Sequence, residues 1–381
     1  MKHKLSLFTT AAVLTAASQA GAQGYLSIGA NADSDFERKL PFSWTVGAQL
    51  GWDSNVGVTS SNEQESAYIS ASIGIDYSSG DRRTAISYHG SYSPLWYFDA
   101  PDGVDEFQNN ARFGMDYRRR INPKLVLTNS FYVSYEVEPD YQIGATVARR
   151  TEPYFYGYES LAAAYSWNRR FSTVTSFTVS GVYYDGGYGE NYANYMLANE
   201  FRYAFSRTTT GTFTYRFGLT DYEDSDDTES HYILIGADHR FSPRLSGSVR
   251  TGVELRESES TPYVETSLTY RVSRKTDVRW YSVYGYPIDS GSSDADLRTG
   301  VTASHRFNSR FSGNLGAHYI GENSDFMDQD TLALSTGFNY ILYKNVSLNG
   351  GYSFTTSATD APNGIGEYDR HMVQLGIASR F

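Results

Sequence analysis

Residues 67–77 read Ala-Tyr-Ile-Ser-Ala-Ser-Ile-Gly-Ile-Asp-Tyr, with apolar side chains at odd positions and small or polar ones between. Residues 245–255, Leu-Ser-Gly-Ser-Val-Arg-Thr-Gly-Val-Glu-Leu, keep the same period of two. Alternation over such lengths argues for strands with two chemically different faces. Strands of soluble sandwiches are usually nearer 5–6 residues, roughly half this length. A strand of about 10 residues, tilted, is long enough to cross a bilayer.

Between these segments a short phrase keeps returning. Its cleanest copy is His305-Arg306-Phe307-Asn308-Ser309-Arg310-Phe311, and His239-Arg240-Phe241-Ser242-Pro243-Arg244-Leu245 is a near twin. Looser copies begin at Tyr77, Tyr117, Tyr165, Tyr203, Tyr270 and Tyr340, at intervals of 31 to 48 residues. Internal repetition of this kind marks one structural unit used many times. Each copy reads as a tight hairpin turn, so the chain reads as one up-and-down meander. The eight turns enclose 14 strands. Two more precede Tyr77 (Trp44–Asp53 and Ser66–Tyr77) and two follow Tyr340 (Val346–Thr355 and His371–Phe381), giving 18. The weakest hairpin is Tyr154 to Trp167, whose Tyr154-Phe155-Tyr156 opening breaks the alternation; without one hairpin the count falls to 16.

Charge divides the connections into two classes. The turns are basic, with Arg82, Arg83, Arg118, Arg119, Arg120, Arg169, Arg170, Arg274 and Lys275 among them. The opposite connections are longer and acidic, and Asp221 to Glu229 alone holds six acids. Their clear bases are Arg149 and Arg150, in the longest of them, about Val137 to Glu152. Short turns at one end and long loops at the other match a transmembrane antiparallel β-barrel of the Gram-negative outer membrane. Basic turns suit an anionic phospholipid leaflet. Acidic loops suit the outer side, where divalent cations bridge them to lipopolysaccharide.

The N-terminus agrees with export. Met1-Lys2-His3-Lys4, the apolar run Leu5 to Ala17 and Ala20-Gly21-Ala22 form a secretory signal peptide over residues 1–22, cut before Gln23. Residues 23–41 are polar and weakly patterned, a periplasmic extension or a short plug; residues 42–381 form the barrel. No later run of apolar residues is long enough for a transmembrane helix. Net charge is −11, and losing Lys2 and Lys4 makes the mature chain more acidic, which disfavours nucleic acid as a partner. With no Cys there is neither a disulfide framework nor a thiolate metal site. At the C-terminus Val373, Leu375, Ile377 and the final Phe381 alternate outward. A terminal aromatic on such a strand resembles the insertion signal read by the barrel-assembly machinery, although Ser379 departs from the usual apolar residue. Pairing this strand with the first closes the sheet and removes its edges.

The signal peptide, the first strand's Gly51-Trp52-Asp53-Ser54-Asn55-Val56, the Arg-Phe-Ser/Asn turns and the terminal Phe resemble the β-barrel porin 2 family. The resemblance spans essentially the mature chain. It implies an outer-membrane barrel, some members of the family being found beside exopolysaccharide systems, and it carries over no catalytic residue.

Parity assigns faces. Tyr77, Tyr117, Tyr165, Tyr203, Tyr270 and Tyr340 are expected outward as the girdle at the turn end, and Trp96, Tyr135, Tyr183, Tyr222, Tyr284 and Tyr319 as the girdle at the loop end. Arg216, Arg240, Arg250, Arg256, Arg271, Arg279, Arg298 and Arg306 fall on the inward parity of consecutive strands, a basic wall able to attract anions. Asp53, Asp76, Asp116, Glu136, Glu200, Asp238, Glu254, Glu265 and Asp277 share that parity, so the wall reads as a salt-bridge lattice or a selectivity element. Catalysis has thin support, because the inward histidines His89 and His318 lie on strands far apart. No His/Asp/Glu spacing matches a metal motif, and nothing calls for a cofactor. The expected function is a porin-like channel passing small hydrophilic solutes, anionic ones included, or an exported glycan. The alternative is a non-conducting structural or adhesion barrel acting through its acidic loops. A wide lumen needs narrowing, and the loop carrying Arg149 and Arg150 is expected to fold into the mouth.

Overall fold

A computed structural model of the chain describes residues 42–137, 153–186, 190–256, 260–285, 295–323, 328–359 and 367–381. The expected signal peptide over 1–22, the expected extension or plug over 23–41 and residues 138–152, with Arg149 and Arg150, lie outside the described residues. Eighteen strands run in chain order: β1 (Phe42–Asp53), β2 (Ser66–Gly80), β3 (Thr84–Tyr92, continued by Leu95–Tyr97), β4 (Phe107–Gln108, continued by Ala111–Arg120), β5 (Leu125–Glu136) and β6 (Tyr154–Ser166). Then come β7 (Phe171–Tyr184), β8 (Tyr192–Ala204), β9 (Thr209–Tyr222), β10 (Thr228–Arg240), β11 (Leu245–Arg256) and β12 (Ser260–Ser273). The last six are β13 (Thr276–Gly285), β14 (Asp296–Arg306), β15 (Phe311–Asn323), β16 (Asp328–Tyr343), β17 (Val346–Thr359) and β18 (Tyr368–Arg380). β3 and β4 are each one strand with a gap, because their register runs on unchanged from Tyr92↔Ala111 to Leu95↔Gln108. Pro94 lies in the gap, where it has no N–H to give to the ladder.

Every strand pairs antiparallel with its neighbours in sequence, and β1 pairs with β18 from Thr45↔Arg380 to Asp53↔Met372, so the sheet closes. Phe381 completes the seam: its N–H donates to the Trp44 carbonyl at 2.8 Å and the Trp44 N–H returns the bond at 3.0 Å. Following paired residues from Ala48 around the wall and back to β1 displaces the position by about 22 residues. With strands ~4.8 Å apart, that stagger gives a tilt of about 40° and a backbone diameter of about 36 Å. The hairpin from Tyr154 to Trp167, weakest in sequence, is paired in register on both sides and belongs to the wall.

The recurring turn phrase has a physical basis in the structure. Its Asn, Ser or Asp accepts hydrogen bonds from the backbone N–H groups two and three residues on, the local bonding these side chains offer at turns. The Asn308 side-chain oxygen takes Arg310 at 2.8 Å and Phe311 at 2.9 Å. Asn122, Asn168, Ser206 and Ser242 repeat this at their own turns. Asp81 does the same for Arg83 at 2.6 Å and Thr84 at 2.7 Å.

The outward face is an apolar band. Trp44, Val46, Leu50, Ile69, Ile73, Phe177, Leu197, Ile235, Val301, Leu315, Leu375 and Ile377 are all exposed. In a soluble protein so much exposed apolar surface would be untenable; around a closed barrel it is the lipid belt. All six turn-end tyrosines face outward, as do Trp96, Tyr135, Tyr183, Tyr284 and Tyr319 at the loop end. Tyr222 is the exception. It shares the inward parity of its β8 partner Tyr192, their ring centroids are 6.0 Å apart, and outward Asp221 stands in its place at the rim. The fold and its exterior define an all-β outer-membrane β-barrel.

Candidate functional site

The interior is the candidate site, and parity puts its side chains there. Each inward residue is flanked in sequence by two lipid-facing ones, so charge enters the wall at every second position. Arg216, Arg240, Arg250, Arg256, Arg271, Arg279, Arg298 and Arg306 all lie on the inward set of β9 to β14. Strand tilt then brings together residues far apart in sequence. Arg250 Nε donates to Glu200 Oε2 at 2.7 Å and lies 3.8 Å from Glu265 Oε1. Arg216 Nη2 straddles both Glu265 oxygens at 2.9 Å, and its guanidinium lies 5.7 Å from the ring centroid of Tyr263. Arg202 bridges Glu200 and Asp238, and Arg250 Nη2 reaches Asp238 at 3.3 Å. Glu200, Asp238, Glu265, Arg202, Arg216 and Arg250 thus form one network across β8 to β12.

Toward the loop end the inward acids are sealed in pairs. Arg370 on β18 holds Asp53 on β1 through Nε at 2.9 Å and Nη2 at 2.5 Å, and the Tyr97 hydroxyl adds a bond at 2.8 Å. Arg112 Nη2 meets Glu136 Oε2 at 2.6 Å. Glu254 takes Arg256 Nε at 3.1 Å and the Tyr232 hydroxyl at 2.8 Å, while Arg298 pairs with Asp296 at 3.2 Å. These four carboxylates are almost fully shielded. Of the nine inward acids singled out in the sequence, all but Asp116 have an arginine within salt-bridge range, and Asp116 accepts from Ser130. Arg112, Arg202, Arg370 and Arg380 carry half of this pairing and were not singled out, although their parity was available.

At the turn end the balance is different. Arg271 and Asp277 pair at 3.2 Å with side chains 68% and 43% exposed. Arg279 is exposed, and among the described residues neither Arg279 nor Arg240 has an acidic partner. Among the described residues, unpaired positive charge on the inner wall therefore sits near the turns, at Arg240 and Arg279.

Among the described connections, 54–65 reaches inside the loop-end mouth, and Ala100 and Val104 of the connection 98–106 pack against the cluster it joins there. Val56 is fully buried against Tyr68, Leu95 and Tyr97, all inward residues, so the segment tucks inside the wall. Asn55 pins it, its side chain donating to the Thr59 carbonyl at 2.8 Å and accepting the Thr59 N–H at 3.0 Å. Val58 has φ of 51°, a left-handed conformation costly for a β-branched side chain. His89 and His318, on β3 and β15, stand six strands apart by the shorter way around the closed sheet.

No family model matches the chain, and no curated protein matches its sequence. Among solved structures it is similar to OccAB4 of Acinetobacter baumannii, with TM-score 0.45, 11% identity, and coverage of 90% of this chain and 99% of that one. The outer membrane protein OpdK of Pseudomonas aeruginosa gives 0.44, 8%, 89% and 98%. The siderophore receptor PirA of Pseudomonas aeruginosa gives 0.38, 10%, 88% and 80%. The strand count and closure rest on the chain's own register.

Proposed function

We propose that this barrel is a diffusion channel of the β-barrel porin 2 type, passing small hydrophilic solutes, with a preference for anions, or an exported glycan. The observation that carries the reading is the inner wall: about 36 Å across at the backbone, polar on the inward parity of every strand, with Arg240 and Arg279 uncompensated near the turns. Uncompensated guanidinium groups in a low-dielectric wall focus a positive potential on the lumen. Arg149 and Arg150 would add to it if their loop bends inward. Single-channel recording in planar bilayers under a KCl gradient tests this. We expect stepwise conductance and an anion-selective reversal potential that moves toward cations in Arg240→Gln/Arg279→Gln. Absence of conductance from folded, inserted protein would instead favour the structural or adhesion reading.

A further inference from the structure

The outward wall carries scattered Ser, Thr and His, but among the described residues its one mid-strand carboxylate lies over β5 to β8. There Asn129 Nδ2 donates to Glu159 Oε1 at 3.1 Å, and both side chains face the membrane at mid-strand. Among the described residues no other acid points outward from a strand interior; outward Asp221, Glu229, Asp330 and Asp369 stand at or near the loop-end termini. Thr173, Thr175 and Asn199 share the face, and the Asn199 Oδ1 is shielded with no hydrogen-bond partner. Directly above, Gly157, Gly181 and Ala193 sit side by side outward and leave a hollow of about 470 Å³, walled by Val133, Phe155 and Tyr183, with Asn191, Asp221 and Glu223 also lining it. A Cβ built on Gly157 meets nothing within 4 Å, so the hollow is open space over that residue.

We infer that this face is a dimer interface with a second copy of the same chain, related by a two-fold axis near Glu159. A carboxylate and amides facing hydrocarbon are unfavourable at mid-membrane depth. Acyl chains could fill the hollow but could not bond Glu159. A partner reaching that depth must itself span the membrane, and a second copy presents its polar residues at the same height. The patch is also self-complementary, as a two-fold contact requires. Asn129 can donate to the partner's Glu159 and receive the equivalent bond in return. The protruding rings of Phe155 and Tyr183, 45% and 56% exposed, stand beside the hollow that the same rings of the other copy would enter. Four strands at ~4.8 Å spacing and ~40° tilt cover about 25 Å of wall, which over a band ~25 Å tall gives about 600 Å² per copy. The pair would bury about 1,200 Å², the lower bound of standard stable interfaces.

The chain has no Cys, which makes the test clean. Leu161→Cys, beside Glu159 on the proposed axis, and Val133→Cys, at the hollow, are compared with Val301→Cys on the far wall, each oxidised in native outer membranes after its folding is confirmed by heat-modifiable gel mobility. The expected result is disulfide-linked dimer at Leu161→Cys at least tenfold faster than at Val301→Cys, lost in the added background Asn129→Leu/Glu159→Leu. Native mass spectrometry of the full protein should give a dimer mass. Equal crosslinking on both faces, or a monomer carrying only a retained lipid, overturns the inference.

Discussion

Replacing Arg370 with Ala is the sharpest test of how the barrel is closed. Arg370 and Asp53 join the last strand to the first, with side chains 6% and 0% exposed. Truncating the arginine leaves Asp53 buried without its counter-charge, facing neutral donors such as the Tyr97 hydroxyl and the Asn55 N–H, the latter at 3.1 Å. Breaking a buried ion pair from one side typically costs about 3–5 kcal/mol, because the remaining charge keeps its desolvation penalty. With a denaturant slope of about 3 kcal/mol per M, expected for a chain of this size, the urea midpoint should fall by about 1–2 M. The assay is the heat-modifiable gel band of the refolded barrel across a urea series. Arg370→Met/Asp53→Asn removes both charges and should recover most of the loss. Arg271→Ala breaks the exposed pair with Asp277 and should cost less than about 1 kcal/mol, since exposed pairs contribute little. If Arg370→Ala and Arg271→Ala move the midpoint equally, burial does not set the strength of these pairs and the argument fails.

Asn308→Ala removes the acceptor for two backbone N–H groups at its turn and should cost about 1 kcal/mol, with Asn308→Asp or Asn308→Ser largely neutral; the same urea series reads it. The Asp81 carboxyl is held below its ordinary value by the backbone N–H of Thr84 and then that of Arg83. A depressed folded value stabilises above the unfolded one, 3.8, and the contribution is lost as pH falls through the folded value, so the stability gap between the parent and Asp81→Ala should be constant near neutrality and close below about pH 4. Deleting Phe381 removes two backbone bonds at the seam and the terminal aromatic, and surface levels in cells should drop; unchanged levels would place the insertion signal elsewhere. Arg149→Ala/Arg150→Ala should shift the reversal potential toward cations if their loop lines the mouth, and an unchanged potential in a conducting variant would place both outside it.

The faces were legible because a strand's side-chain period is two, and a slip by one residue would turn the whole apolar set into the lumen. That constraint carried the strand count, the inward arginines and the girdle tyrosines from sequence to structure. Tyr222 departs from the expected girdle: at the end of β9 Asp221 holds the outward position, and parity turns Tyr222 inward against Tyr192. The Tyr154-Phe155-Tyr156 opening of β6 also departs from expectation, because it keeps its alternation with aromatics on both faces. Partners were less legible than faces. Arg216 and Glu265 stand 49 positions apart, and Asp53 and Arg370 stand 317 apart. Such pairs depend on the accumulated stagger of the barrel, which no single strand encodes. The inward fold of 54–65 depends on side-chain bonds at Asn55 and on left-handed residues at Val58 and Asn62, neither of which the alternation contains.

The same geometry accounts for the unequal fate of charge along the wall. Near the loops, the tucked segment 54–65 and the clustered tyrosines shield the inward acids, and a shielded carboxylate is tolerable only with its arginine in contact. Near the turns the cover is uneven: Arg202 and Asp238 are shielded together, whereas Arg279 is exposed, and neither it nor Arg240 has an acidic partner among the described residues. Shielding therefore selects neutral pairs where the wall is covered and permits free cations where it is open. The resulting field is a property of where the interior is covered as much as of the residue list, since Arg256 and Arg279 share a parity and differ in their surroundings. Among the described residues, Arg240 and Arg279 carry this unpaired positive charge next to the short turns.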